Sequence, residues 1–156
     1  MFIDPPAGDC WSRDFPGTTD QVRLVRVFTA TLLADCQFLD EVLLGVDELA
    51  ANTIRHTRSG EPGGRFTVEL RRWYGPYDEN GKEIELVAVS VRDQGGPREP
   101  VADVRDLDEE DFWVAESGRG LWTVSRTAVS WGWFGNAAGR TVSAVFAAAD
   151  PLAVAA

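Results

Sequence analysis

Two polar side chains four residues apart, Glu48 and Asn52, have the types and the spacing to share one chemical task. Residues four apart on an α-helix lie one above the other on the same face. A carboxylate there can take up a proton while a carboxamide helps to hold a cation. The alternative is that both side chains face water at the helix edge, which is where most Glu and Asn residues on helices lie. Taken alone, the pair favours this second interpretation.

Asp93 is another candidate, because it ends a segment in which apolar and polar residues alternate. Val87, Val89 and Val91 fall on one face of a predicted strand over residues 85–93, and parity places Asp93 on that face. A carboxylate directed toward the core needs a hydrogen-bonding partner. Alternatively, Asp93 caps the turn at residues 93–96, where its side chain can bond to nearby backbone.

Gly118 and Gly120 flank Arg119 and precede a segment with helical spacing. Glycines that lead into a helix N-terminus let backbone N–H groups approach an anion, and the helix dipole favours negative charge there. A single Gly-x-Gly is a weak signal. It gains meaning only beside the other candidates.

The elements that position these residues follow from periodicity. Apolar residues recur at helical spacing over residues 42–54, which predicts an amphipathic helix that runs to about Thr57. An earlier helix is predicted to begin near Asp20, which lies in its first turn, with Thr18 or Thr19 as the cap. The buried side of this earlier helix is predicted to comprise Val22, Val25, Val27, Phe28 and Leu32.

Strands are predicted at residues 10–15, 65–73 and 85–93, and a terminal hairpin pairs residues 129–134 with 140–146. This order predicts an α+β fold in one domain over residues 1–156: a two-layer sandwich whose mixed, mostly antiparallel sheet carries helices on one face. Residues 1–9 form a loose leader, 97–117 a long loop and 149–156 a frayed tail. Trp131 and Trp133 share one strand face, either as core or, if the sheet is covered on one side only, as an interface.

Composition excludes several classes of protein. The net charge of −10 and the pI near 4.5 argue against nucleic acid as the main partner, because phosphate binding needs a basic surface. Cys10 and Cys36 match no metal spacing, and reduced thiols are a simpler interpretation than a disulfide. The sequence contains neither an apolar run of the roughly 18 residues that a membrane span needs nor a signal peptide. We therefore expect a cytoplasmic protein.

Four motifs in this order resemble those of the GHKL ATP-binding superfamily, whose domain is the Bergerat fold. Glu48, Leu49 and Asn52, followed by Arg55 and His56, resemble the N box; Val91, Asp93 and Gly95 resemble the first glycine box; Gly118, Arg119, Gly120, Leu121 and Val124 resemble the second. Residues 131–142 resemble the last strands of a small bacterial branch, the anti-sigma factor serine-protein kinases. The resemblance spans roughly residues 10–148.

The resemblance implies a role for each matched position. Asn52 would hold the Mg²⁺ that bridges the ATP phosphates, Glu48 would act as general base, and Asp93 would accept a hydrogen bond from the adenine amino group. Gly95 would admit the backbone close to the base. The remaining nucleotide-binding positions, with residues 97–117 as an ATP lid, are Arg55, His56, Gly118, Arg119, Gly120 and Leu121.

Two positions depart from the family pattern. Pro97 stands where a second glycine is common, which would stiffen the hinge of the lid. Thr141 is a candidate adenine contact, but parity opposes it: if Val142 faces the core, Thr141 points away and Arg140 points inward.

The resemblance further implies an ATP- and Mg²⁺-dependent serine/threonine-protein kinase that regulates transcription through protein partners. It would phosphorylate an anti-anti-sigma partner of the STAS type and sequester a sigma factor. The alternatives are a non-catalytic module in which ATP switches protein partners, and an α+β domain whose motif matches are incidental. A homodimer is expected from the Trp131 and Trp133 face and from the habit of the family. His56 is the only histidine, which excludes a complete sensor histidine kinase.

Overall fold

The computed structural model describes residues 8–100 and 116–148. This part of the chain contains three α-helices and five strands. The strands are β1 (Asp9–Pro16), β2 (Arg65–Tyr77), β3 (Glu83–Arg92), β4 (Ser130–Asn136) and β5 (Gly139–Ala147). The helices are α1 (Gln21–Leu32), α2 (Leu39–His56) and α3 (Glu116–Thr127), and a short 3₁₀ turn, Arg58–Gly60, follows α2.

The five strands form one sheet in the order β1-β2-β3-β5-β4. Each of these four strand pairs is antiparallel. The predicted α+β class is therefore confirmed, and where a mixed, mostly antiparallel sheet was expected, the described strands pair only in the antiparallel sense. Hairpins join β2 to β3 and β4 to β5. Strand β5 pairs with β3, and the end of β3 lies next to the start of β5.

The core lies between one face of the sheet and the helices. Val68, Val91 and Val142 are neighbours across β2, β3 and β5, and all three are buried. Helix α2 packs directly on this face. Its Gly45 lies so close to the ring of Phe146 that an added Cβ atom would overlap the ring. The helices thus cover the face that carries the apolar side chains, as the alternation in the strands predicted.

Helix α1 differs from the prediction in its start and in one buried position. It begins at Gln21 with Asp20 as N-cap, no side chain caps it, and its first turn contains no acidic residue. The hydroxyl of Thr18 donates to Oδ1 of Asp20 instead. Val27 is 55% exposed, whereas Val25 is fully buried. Residues two apart on a helix point to nearly opposite sides, so Val25 and Val27 cannot both face the core.

Trp131 and Trp133 lie on the helix-covered face, where they pack partly buried against the core. This placement favours the core interpretation over the interface, and the homodimer stays a prediction. Cys10 is an exposed free thiol and Cys36 a buried one. Among the described helices, none combines the length and the hydropathy needed to cross a bilayer.

Three predicted segments fall largely outside the described residues. Residues 1–7 of the leader and residues 149–156 of the tail are among them, as are residues 101–115 of the lid. Asp9 already belongs to β1, so a loose leader would end before it.

Candidate functional site

Helix α2 carries the first pair of candidates. Glu48 and Asn52 are both partly buried and stand one turn apart on the same face. A Cβ atom built on Gly120 of α3 would lie 2.6 Å from Oε2 of Glu48. The Glu48 carboxylate therefore lies at the contact between α2 and α3 and does not simply extend into water.

The second glycine box lies within α3 and does not precede it, which corrects the prediction. The helix begins at Glu116, so Gly118 and Gly120 belong to its first turns. Glycine has a low helix propensity, but the absence of a side chain at Gly120 lets α3 approach Glu48. Leu121 is buried in the hydrophobic core, and only the backbone of Arg119 is described, as part of α3.

Asp93 follows directly after β3 and is only 7% exposed. Its Oδ1 accepts hydrogen bonds from the backbone N–H groups of Gly95, at 2.6 Å, and Arg140, at 3.3 Å. The two interpretations of this residue therefore both hold: it is buried, and it caps its turn. Burial raises the pKa of the Asp93 carboxyl, while the two N–H groups and the charge of Arg140 oppose that shift. Within the described residues, Oδ2 makes no hydrogen bond and stays available as an acceptor.

Position 95 requires glycine because the backbone of another segment approaches it closely. Its φ of +78° lies in the left-handed region. A Cβ atom there would clash with the carbonyl oxygen of Ala137, in the turn between β4 and β5. The next amide, that of Gly96, donates to the same carbonyl oxygen at 3.0 Å. The first glycine box thus brings the end of β3 against this turn, whatever its role toward a ligand.

Arg58 connects the same loop to α2 and was not predicted. Its backbone N–H donates to the carbonyl oxygen of Gly95, and its Nη1 donates to that of Ala137, both at 2.8 Å. The Oγ atom of Ser59 accepts a hydrogen bond of 3.0 Å from the backbone N–H of Gln94. Two open cavities adjoin this region, but neither is lined by Glu48 or Asn52, so we do not assign the candidate site to them.

The C-terminal end of α2 contributes positive charge. His56 is partly buried, and burial, reinforced by the nearby charges of Arg55 and Arg98, lowers its pKa. Basic residues in the last turn also suit the helix dipole, which explains part of this arrangement without a ligand. Yet the charges of Arg55 and Arg98 beside the Asp93 loop, in a chain of net charge −10, favour an anion nearby.

The end of α2 brings the N box close to the first glycine box. A Cβ atom built on Gly96 would lie 3.5 Å from the carbonyl oxygen of His56. Asn52 is four residues earlier, about 6 Å along the helix axis. The N box and the first glycine box therefore meet at the C-terminal end of α2.

Thr141 is not among the residues that the structure brings together. It pairs with Arg92 and Phe134 on the uncovered face of the sheet, opposite α2. Arg140 instead faces inward and is only 5% exposed, as parity indicated. Its Nη1 donates to the carbonyl oxygen of Arg98 at 2.5 Å, and its guanidinium carbon lies 5.7 Å from the ring centre of Trp133. The sequence predicted this orientation but assigned the side chain no role.

The donor set at α2 fits a magnesium ion that arrives with a nucleotide. Among the described residues, no group of three or more His, Cys, Asp or Glu side chains could hold a metal ion. Mg²⁺ bound to a nucleotide needs only one or two protein oxygens, since the phosphates and water supply the rest. The partly buried carboxamide of Asn52 can supply one of them.

Comparison with known proteins places this geometry in a family. No curated protein sequence matches the chain. A family model described as the histidine kinase-like ATPase domain matches residues 15–146, a span that includes every candidate residue discussed above. The match agrees with the GHKL resemblance and supports ATP as the ligand, without distinguishing the anti-sigma branch. Because this match covers most of the chain, the chain belongs to the histidine kinase-like ATPase domain family.

Proposed function

We propose that this chain is an ATP-dependent serine-protein kinase of the anti-sigma type. It phosphorylates a small STAS partner and sequesters a sigma factor. The observation that carries the nucleotide half of the proposal is the buried Asp93: Gly95 fixes its Oδ1, while Oδ2 accepts no hydrogen bond from the part of the chain that the structure describes. Membership in an ATPase domain family supports ATP as the nucleotide.

In this proposal, the first glycine box and the N box, which meet at the end of α2, recognise the two ends of ATP. Oδ2 of Asp93 accepts a hydrogen bond from the adenine amino group. Arg55 and His56 lie near the phosphates. Asn52 would hold Mg²⁺, which would neutralise phosphate charge when bound. Positioning and charge neutralisation supply most of the catalysis of phosphoryl transfer.

Glu48 is the proposed general base. The serine oxygen of the partner attacks the γ-phosphorus, the bond between that phosphorus and the β–γ bridging oxygen breaks, and ADP leaves. Glu48 takes the proton of the serine hydroxyl, a contribution of typically about 10²–10⁴-fold. Its partly buried position against Gly120 supports a fixed carboxylate rather than a solvated one.

The protein partners are proposed from the motifs, which resemble the anti-sigma branch. The strongly acidic net charge favours partners other than nucleic acid. His56, the only histidine, ends α2 beside the proposed phosphate site.

The transfer is tested with γ-labelled ATP and a STAS protein of the same genome. Wild type should label a serine of the partner, and Glu48→Gln should lower the rate by about 10²-fold or more. Glu41→Gln, which removes an exposed carboxylate from the same helix, is the matched control and should keep the wild-type rate. Binding without labelling, with partner switching retained in Glu48→Ala, would replace the kinase by the non-catalytic module.

Nucleotide binding is tested separately. A ligand at 100 times its Kd stabilises the folded state by about 2.7 kcal/mol, so excess Mg-ATP should raise the melting temperature. Asp93→Ala should abolish this shift with or without Mg²⁺. Asn52→Ala should remove only the part that depends on Mg²⁺. An unchanged melting temperature of the wild type in excess Mg-ATP would refute the proposed function as a whole.

A further inference from the structure

Arg140 is a buried cation with an unused donor. The side chain is 95% buried, and within the described residues its Nε has no hydrogen-bond partner. Its Nη1 is bonded to the carbonyl oxygen of Arg98 at 2.5 Å, which fixes the orientation of the planar guanidinium. A buried donor without a partner costs free energy, and for a charged group this cost is larger. An acceptor supplied by a ligand would remove this cost.

Asp93 offers an unused acceptor in the same place. The backbone N–H of Arg140 donates to Oδ1 of Asp93, so the two residues adjoin, while Oδ2 has no described partner. Among the ion pairs of the described residues, none joins a guanidinium nitrogen of Arg140 to a carboxylate oxygen of Asp93 within 4.0 Å. A charged donor and a charged acceptor therefore stand side by side without bonding to each other.

We propose that Arg140 is a second base-reading residue, whose Nε donates to the ring nitrogen next to the amino group that Asp93 accepts. This inference rests on the proposed binding of ATP. The exocyclic amino group of adenine lies between two ring acceptors, N1 and N7. An acceptor on Asp93 and a donor on Arg140 complement that alternation of donor and acceptor, whichever of the two ring nitrogens is used.

A purely structural role accounts for only part of the observations. The bond to Arg98 and the contact with the ring of Trp133 would hold the guanidinium in place. Neither uses Nε. A structural role also predicts that the removal of Arg140 weakens the binding of every nucleotide analogue equally, whereas base reading predicts that the loss depends on the ring nitrogen.

The experiment measures the Kd of ATP, 1-deaza-ATP and 7-deaza-ATP for the wild type, Arg140→Met and Arg92→Met. A hydrogen bond from a charged donor is worth about tenfold or more in affinity. The wild type should therefore bind one of the two deaza analogues at least tenfold more weakly than ATP, and Arg140→Met should bind that analogue and ATP equally. Arg92→Met removes an equal charge from the exposed side of β3 and should keep the wild-type pattern.

Two results would overturn the inference while leaving the proposed function intact. One is wild-type protein that binds both deaza analogues as tightly as ATP. The other is Arg140→Met that discriminates between the analogues as the wild type does. If Arg140→Met does not fold, the wild-type comparison decides alone, because it needs no variant. Failure of the wild type to bind ATP at all would instead refute the proposed function.

Discussion

The backbone N–H of Gly95 donates a hydrogen bond of 2.6 Å to Oδ1 of Asp93, two residues earlier. This bond holds the carboxylate against its own turn and leaves Oδ2 as the oxygen that can face a ligand. It also favours the charged form of the carboxyl, which burial disfavours. The candidate site therefore depends on a carboxylate whose protonation and orientation are set by the same short loop.

The raised pKa of Asp93 predicts a specific pH dependence of stability. The folded protein binds the Asp93 proton at a higher pH than the unfolded chain does. Its contribution to the free energy of unfolding is therefore fully present below the ordinary value of 3.8 and is lost as pH rises through the raised pKa. In urea unfolding at a series of pH values, Asp93→Asn should gain stability relative to the wild type across this window. Asp40→Asn controls for the change in net charge, and a constant difference between Asp93→Asn and wild type would contradict the assignment.

His56 gives a single reporter of the site, because the chain has one histidine. Burial, with the charges of Arg55 and Arg98, lowers its pKa below the ordinary 6.5. The imidazole resonances of the tag-free protein should thus titrate below 6.5 in NMR spectra. The associated stability is present above 6.5 and is lost as pH falls through the lowered pKa. Saturation with Mg-ATP should raise the midpoint, because phosphate favours the charged imidazolium. A midpoint at or above 6.5 without nucleotide would contradict the described environment.

Gly120→Ala should separate activity from stability. The new methyl group would lie 2.6 Å from Oε2 of Glu48, so the carboxylate must move, and a flexible side chain can do so at low cost. We expect phosphoryl transfer to slow, by less than the roughly 10²–10⁴-fold that a general base contributes, because the base is displaced and not removed. Alanine also has the higher helix propensity, so the free energy of unfolding should stay the same or rise by about 1 kcal/mol. Transfer at the wild-type rate would show that Glu48 does not act from this position.

Gly45→Ala should lower the free energy of unfolding. Its methyl group would overlap the ring of Phe146, which is fully enclosed in the core and cannot easily move. Overpacking of this kind costs about 1–3 kcal/mol, measurable by urea unfolding. Gly132→Ala is a suitable control, since no atom lies within 4 Å of the added Cβ. A Gly45→Ala variant as stable as the wild type would mean that α2 does not pack directly on β5.

The strand pattern of the sequence was sufficient to predict the sheet and the direction of its key side chains. Val87, Val89 and Val91 face the helices, as do Val142 and Phe146. Strand parity then placed Asp93 and Arg140 on the buried side, and both are buried. This inference succeeds because a strand has a period of two, so one buried residue fixes the direction of its neighbours.

Tertiary contacts account for what the sequence did not predict. The glycines at 118 and 120 were predicted to precede a helix, but the helix already begins at Glu116, and at Gly120 it approaches Glu48 of α2 closely. The links made by Arg58 were equally hidden, because its partner Ala137 is 79 residues away and no local pattern encodes such a bond. The roles of Glu48, Asn52 and the other matched positions came from the resemblance and remain to be tested by the experiments above.

Arg58 has one consequence for how the site comes into existence. Its two hydrogen bonds clamp the end of a helix, a loop after the central strand and the last hairpin, three segments distant from one another along the chain. The corner that contains Asp93 and Gly95 is therefore complete only when the final hairpin has docked. A fragment that lacks this hairpin should therefore fail to bind nucleotide, so that nucleotide affinity would report whether folding is complete.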